Sequence, residues 1–167
     1  DALPILLGVI PGILLIAAFI YLALGAARLE QSRTLVNHTF DVLFADSAIY
    51  SAVQDAERGQ RGYLLTGDPS YLAPYESGTA RLPDALERLE SMAAGDPVLE
   101  AKVQTLQRAV QLKMDELKTT VALRRTQGID AAMAVVRTDV GEKMMRDIGI
   151  SVGQILVMEQ QLLSHRL

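Results

Sequence analysis

The sequence predicts an all-α protein in which an N-terminal transmembrane helix leads into an antiparallel four-helix bundle. Three observations support this fold class. A long uncharged run lies at the amino terminus, apolar residues then recur three and four positions apart, and glycine-containing breaks divide the remaining chain into four segments. We therefore predict a membrane helix over residues 1–28 and a helical domain over residues 29–167.

The amino-terminal run, residues 3–27, contains no charged side chain. It exceeds the roughly 20 apolar residues that cross a bilayer as a helix. It is also longer than the apolar core of a cleaved signal peptide, and it continues directly into helix-forming residues, which favours a retained anchor. Gly8 and Gly12 form a G-x-x-x-G pair that allows a second membrane helix to approach closely, although packing against lipid alone is the alternative.

Three glycine-containing breaks define the segments that follow the anchor. Residues 67–69 and 95–97 both read Gly-Asp-Pro, in which the glycine ends one helix, the aspartate caps the next and the proline occupies its first turn. The first segment thus runs from about 28 to 66 and the second from about 70 to 93, with a kink or break expected at Pro83. After the third break, at 128–130, one or two helical turns precede a restart near Asp139.

Each segment carries an apolar stripe at helical spacing, as the seam of a bundle requires. The stripes are Ile49, Val53, Ala56, Tyr63 and Leu64 in the first segment; Leu72, Tyr75, Leu82, Leu86 and Leu89 in the second; Val103, Leu106, Val110, Met114, Leu117 and Val121 in the third; and Val140, Met144, Ile148, Val152, Ile155 and Leu162 in the fourth.

Polar residues interrupt the apolar face near the end of the first segment. At about 100° per residue, Glu57 and Gln60 fall close to the centre of that face, and Arg125 falls similarly on the third segment. Buried polar groups need partners, so we predict a Glu57–Arg125 pair across the bundle. Two interpretations of Glu57, Gln60 and Arg61 stay open: they fix the register of the helices, or they bind a ligand.

Three tyrosines, Tyr63, Tyr71 and Tyr75, surround the first break, at the end of the bundle farthest from the predicted anchor. We expect them to pack the end of the bundle, with a ligand pocket as the alternative. The methionines of the helical segments are expected to fill the core. These methionines are Met114, Met133, Met144 and Met145.

Composition argues against several classes of function. The chain has no cysteine, and its two histidines, His38 and His165, lie on the first and last segments, so neither a metal site nor a nucleophile beside a base is predicted. The net charge of −4, without a basic patch, argues against binding nucleic acid. We therefore predict no catalytic residue, no metal and no cofactor.

Three stretches of the chain occur in an informative order. They are Val36-Asn37-His38-Thr39, the run from Ala56 to Gly67 (AERGQRGYLLTG), and Leu123-Arg124-Arg125 through Gly128 and Ala131-Ala132. Together they resemble the CHASE3 family of bacterial sensor domains. The resemblance covers about residues 35–165 and implies a periplasmic four-helix bundle coupled through the membrane to an output domain. Arg58, Glu142 and Arg146 depart from the charges usual in the family.

The expected function is that of a non-catalytic sensory or interaction module, anchored in the bacterial inner membrane with its bundle in the periplasm. A ligand or partner held between the helices would bias a small sliding or rotation of them. The alternative is a structural accessory subunit that stabilises a larger membrane complex, for example a respiratory or photosynthetic one. The expected partners are the lipid bilayer and other membrane proteins or a second copy of the chain, and the sequence identifies no small-molecule ligand.

Overall fold

The computed structural model describes residues 3–166, apart from the side chains of residues 3–11, 13, 27–29, 31, 32, 34, 35, 165 and 166. The described residues form five α-helices and one short 3-10 turn. The helices are α1 (Leu3–Thr66), α2 (Ala73–Ala93), α3 (Pro97–Gln127), α4 (Ile129–Val136) and α5 (Val140–Arg166), and the 3-10 turn is Pro69–Leu72. The all-helical prediction and the positions of its three breaks are confirmed.

The caps of the helices explain these boundaries. The Asp68 carboxylate accepts a hydrogen bond from the Ser70 backbone N–H at 2.9 Å. The Asp96 carboxylate accepts from Val98 and Leu99 at 3.0 and 3.1 Å, which satisfies two N–H groups that would otherwise lack partners at the start of α3. Glycine is suited to all three breaks because the backbone there has positive φ. These residues are Gly67 (74°), Gly95 (89°) and Gly128 (90°).

The four long helices alternate in direction. Contacts between α1 and α3 advance together along both helices, from Glu57–Lys113 to Gln60–Thr120, so these two helices are parallel. Contacts of α1 with α2 and with α5 run in opposite senses, as do those of α3 with α5; an example is Thr39–Glu159 between α1 and α5. The bundle therefore has up-down-up-down topology, and α4 packs mainly on α3.

Two groups of buried side chains form the core. The main core draws on α1, α2, α3 and α5, and a smaller one lies at the end of the bundle where α1 meets the 3-10 turn. Members of the main core include Val42, Ile49, Val53, Leu82, Leu89, Leu99, Val103, Leu106, Ile148 and Ile155. The smaller core consists of Tyr63, Leu64, Leu72, Val121 and Ala132. Of the predicted stripe, Val140 is exposed, because it is the first residue of α5 and lies beyond the end of the main core.

Small residues bring α1 and α2 close together. A Cβ at Gly78 would lie 2.3 Å from the Ala52 carbonyl oxygen and 2.9 Å from the Ala56 nitrogen. Of the two effects expected at Pro83, the break is wrong, because α2 is continuous from Ala73 to Ala93, and the kink stays a prediction. Burial of Leu82 in the main core offsets the hydrogen bond that a proline removes from a helix interior.

Within the described residues, no helix combines the length and the apolar character needed to cross a membrane.

Half of the predicted anchor, residues 1–28, lies outside the described side chains, and so does Gly8 of the predicted helix contact. At Gly12, no heavy atom lies within 4 Å of the position that a Cβ would take. The anchor and its G-x-x-x-G contact therefore stay predictions.

Candidate functional site

A pocket of about 300 Å³ opens between α1, α3, α4 and the start of α5, beside the smaller core. Its polar wall comprises the carboxylates Glu57, Glu116, Asp139 and Glu142, the cations Arg61 and Lys113, and Gln60. Its apolar wall comprises Leu64, Leu65, Met133 and Val136. Three of the four polar residues singled out in the sequence, Glu57, Gln60 and Arg61, thus lie together in one site.

Lys113 is the central residue of this pocket, although its side chain is only 2% exposed. Its ammonium donates hydrogen bonds to Glu57 Oε1 at 3.0 Å, to Glu116 Oε2 at 2.9 Å and to the Gly141 carbonyl oxygen at 3.2 Å. An ammonium has three N–H donors, so these bonds use all of them. A buried charge is tolerated only when it is paired in this way, and here the pairing joins α1, α3 and α5 at one atom.

The predicted Glu57–Arg125 pair is wrong. Glu57 instead accepts hydrogen bonds from Lys113 and from Arg61, the latter at 3.2 Å, while Arg125 is exposed. The angular argument missed both the face of α3 and the height along it, since position 125 lies about 120° around the helix from the buried Lys113. Because α1 and α3 are parallel, Glu57 lies level with Lys113, and residue 125 is about 18 Å farther along the helix.

The arginine of α3 that contacts α1 is Arg124, the neighbour of the predicted one. Its Nε donates to the Leu64 carbonyl oxygen at 2.9 Å. This bond satisfies one of the carbonyl groups that the last turn of α1 leaves without a helical partner. Arg124 therefore ties the end of α1 to α3 next to the pocket.

Gln60 extends the polar layer into the bundle. It is buried, and its Nε2 donates to Thr120 Oγ1 at 2.8 Å. Lys113, Glu116 and Thr120 were missed in the sequence. A signal for two of them exists, since Lys113 and Thr120 continue the three-and-four spacing of the α3 stripe through Val110 and Leu117.

The three tyrosines lie outside the pocket. Tyr63 is buried in the smaller core and Tyr75 packs against it, while Tyr71 is half exposed next to Gly62. This arrangement agrees with packing at the end of the bundle. Among the methionines, Met114 and Met145 pack against the main core, whereas Met133 lines the pocket.

The three residues that depart from the family's usual charges are paired locally. The Arg58 guanidinium donates to Asp55 at 2.8 Å. Glu142 and Arg146 form an ion pair with each other, one turn apart on α5. The charges of Glu142 and Arg146 therefore compensate one another. Glu142 is also part of the pocket wall.

A second group of buried polar side chains lies on α1 and α5, away from the pocket. Thr39 Oγ1 donates to the buried Glu159 carboxylate at 2.8 Å. Asp46 is also buried, and its Oδ1 has no hydrogen-bond partner in the described part of the chain. Burial raises the pKa of Asp46 to about 7, so this carboxyl group titrates near neutral pH.

Metal ligation finds no support in the described side chains, which contain no group of three His, Cys, Asp or Glu residues placed to hold an ion. His38 is exposed, and the side chain of His165 lies outside the description.

Comparison with known proteins relates both the sequence and the fold to one family. The model of the CHASE3 domain family matches residues 32–167. The crystal structure of the sensor domain of histidine kinase HK9 from Rhodopseudomonas palustris superposes with a TM-score of 0.69 at 28% sequence identity, covering 74% of this chain and 97% of that one. Comparison with curated proteins gives no match.

Proposed function

Because the chain belongs to the CHASE3 domain family, we propose that it is a non-catalytic sensory module whose signal is received in the pocket around Lys113. Similarity to a histidine kinase sensor domain supports the sensory part of this proposal. The observation that carries the pocket assignment is the Lys113 ammonium, which holds Glu57 of α1, Glu116 of α3 and the Gly141 carbonyl of α5 around one concave surface.

The same contacts suggest how a signal would leave the pocket. A ligand that contacts Glu57 or the start of α5 competes with Lys113 for its partners and shifts the balance between two arrangements of the helices. Since α1 is one helix from Leu3 to Thr66, a displacement near Glu57 is carried along that helix toward the amino terminus. The pocket thus acts on α1 without any chemical step.

The module is further proposed to be anchored in the bacterial inner membrane by residues 1–28, with the bundle in the periplasm. The uncharged run from residue 3 to residue 27 supports the anchor. The periplasmic side is supported by the family resemblance, in which such bundles are extracytoplasmic.

The sensory function is tested by joining the end of α5, through a second membrane-spanning helix, to the cytoplasmic output domain of a histidine kinase, and then filling the pocket. Leu65 lines the pocket and is 69% exposed, so Leu65→Trp adds bulk there without disturbing the core. We expect this variant to change kinase output several-fold at equal protein level. Leu112→Trp, at an exposed position of α3 outside the pocket, is the matched control. Equal output from the two variants and the parent would contradict the proposal.

A second candidate function, the structural accessory subunit, is favoured by one observation. Phe40 and Phe44, one turn apart on α1, are 52% and 73% exposed. Two such phenylalanines suit contact with a helix of another membrane protein. Gentle purification from the native membrane, followed by intact mass determination of every component, tests this function. A stoichiometric membrane-protein partner would support it, whereas recovery of the chain with lipid alone would count against it.

A further inference from the structure

We propose that the pocket selects a small organic cation with an apolar body, such as a protonated aromatic amine. This inference rests on the proposed sensory function and specifies the chemical class of its ligand. It follows from three properties of the pocket wall: an excess of negative charge, cations that are already engaged, and an exposed apolar side.

The charges of the pocket wall do not balance. Four carboxylates and two cations line the pocket, which leaves an excess of two negative charges. Arg146, outside the wall, compensates Glu142. Asp139 forms no hydrogen bond or ion pair through its carboxylate within the described part of the chain, and it is exposed. A cation entering the pocket would therefore meet one unpaired carboxylate at the rim.

Each cation of the wall is already paired with a carboxylate. Lys113 is buried and has spent its three N–H donors on Glu57, Glu116 and the Gly141 carbonyl. Arg61 uses one of its five N–H donors on Glu57, at 3.2 Å, so its charge is already paired with a carboxylate. Glu57 and Glu116 each bond Lys113 through a single oxygen, so that each has a second carboxylate oxygen to offer a donor.

The amino terminus of α5 does not change the preference of the pocket for a cation over an anion. A helix amino terminus carries a partial positive charge that attracts anions. Here Asp139 precedes the helix and Glu142 lies in its first turn, so two carboxylates already occupy that position. A free anion would be repelled by them.

The apolar wall determines the rest of the ligand. Leu65 and Val136 are both exposed large apolar side chains, and they lie in the same pocket as Leu64 and Met133. Covering them removes apolar surface from water, which a hydrated inorganic cation cannot do. A volume of about 300 Å³ is at the lower end of the range for small-molecule sites, so the ligand is small.

The test uses residues 1–167 in detergent micelles and three probes of similar shape. These are 2-phenylethylamine, which is protonated at pH 7, 3-phenylpropionate, which is an anion, and neutral 2-phenylethanol. Isothermal titration calorimetry at low salt is expected to show binding of the amine in preference to the other two. Raising the ionic strength to about 0.5 M should weaken amine binding several-fold, because salt screens exposed charges.

Two matched variants locate the binding site. Asp139 has a φ of 58°, a conformation that asparagine also tolerates, so Asp139→Asn removes the charge without straining the backbone. We expect it to weaken amine binding about two- to fivefold, as loss of one exposed charge interaction does. Asp84→Asn makes the same change on the exposed surface of α2 and should leave amine affinity unchanged.

Each other outcome overturns the inference. Tighter binding of the anion or the alcohol would reject the cationic class, and absence of amine binding at low salt would do the same. Equal effects of Asp139→Asn and Asp84→Asn would reject the pocket as the site. None of these results contradicts the proposed sensory function. That function is contradicted if Leu65→Trp leaves the output of the fused kinase unchanged.

Discussion

Lys113 shows how one residue can hold a site together. Its spacing from Val110 and Leu117 predicts that it points into the bundle, as a buried residue of the α3 stripe does. The sequence does not reveal which carboxylates lie at the same height, because that depends on the relative shift of two helices that are distant in sequence. The site is therefore only half predictable: Glu57, Gln60 and Arg61 were identified, but their partners on α3 were not.

Replacing Lys113 with methionine should strongly destabilise the bundle. Glu57 and Glu116 would then remain close together and largely buried without a cation between them. Loss of one partner of a buried pair costs about 3–5 kcal/mol in the free energy of unfolding. Denaturant titration followed by circular dichroism measures this loss. Lys118→Met, the same change at an exposed position of α3, should stay within about 0.5 kcal/mol of the parent.

The raised pKa of Asp46 predicts that the free energy of unfolding depends on pH. Its pKa is raised to about 7 in the folded chain, against about 4 in an unfolded one. Below pH 4 the Asp46 carboxyl group is protonated in both states, so its burial as a charge does not lower the free energy of unfolding. Between pH 4 and 7 the unfolded state loses the proton first, so the free energy of unfolding falls as pH rises, and the full penalty is present above pH 7.

Asp46→Asn should remove that penalty. We expect the variant to be more stable than the parent by roughly 1–3 kcal/mol at pH 8, with a much smaller difference at pH 4. Thermal or denaturant unfolding at the two pH values gives the comparison. A difference that does not depend on pH would mean that Asp46 is not protonated in the folded chain near neutrality.

At the scale of helices, the sequence predicts boundaries well because caps are local. Both Gly-Asp-Pro breaks, and the third break at Gly128, lie where the helices end. Pro83 shows the limit of this reasoning. Its local effect favours a kink or a break, but α2 continues through it while packed on α1 and α3, and a local argument does not include those contacts.

The contact between α1 and α2 gives a prediction at this scale. Gly78→Ala would place a Cβ against the backbone of Ala52 and Ala56, which forces the helices apart. We expect a loss of about 1–3 kcal/mol in the free energy of unfolding. Gly153→Ala in α5 is the control, since no heavy atom lies within 4 Å of its new Cβ. That change should stabilise α5 by about 0.5–1 kcal/mol, so the two substitutions should have opposite signs.

Across the whole molecule, stability is unequally distributed. α4 buries one residue, Ala132, whereas α3 buries residues at regular intervals from Leu99 to Val121. The apolar stripes predicted four long helices, but they gave no indication that α4 would form one wall of the pocket. Its role follows from the order of the helices in space.

We expect hydrogen exchange to follow this distribution. Amides of residues 129–136 should exchange at least about tenfold faster than those of residues 103–121, since a helix with few buried contacts opens locally at low cost. Deuterium uptake measured by mass spectrometry on the intact chain makes the comparison within one sample. Equal protection of the two segments would show that α4 unfolds only together with the bundle.

The length of α1 limits how the pocket can communicate. Its 64 residues form a rod of about 96 Å, and Arg61 in the pocket lies roughly 54 Å from Gly25 along it. In physiological salt, the field of an exposed charge decays over about 8 Å. A change of charge in the pocket is therefore imperceptible at the other end of α1. Only a movement of the backbone, that is, a translation, tilt or rotation of α1, transmits the signal to that end.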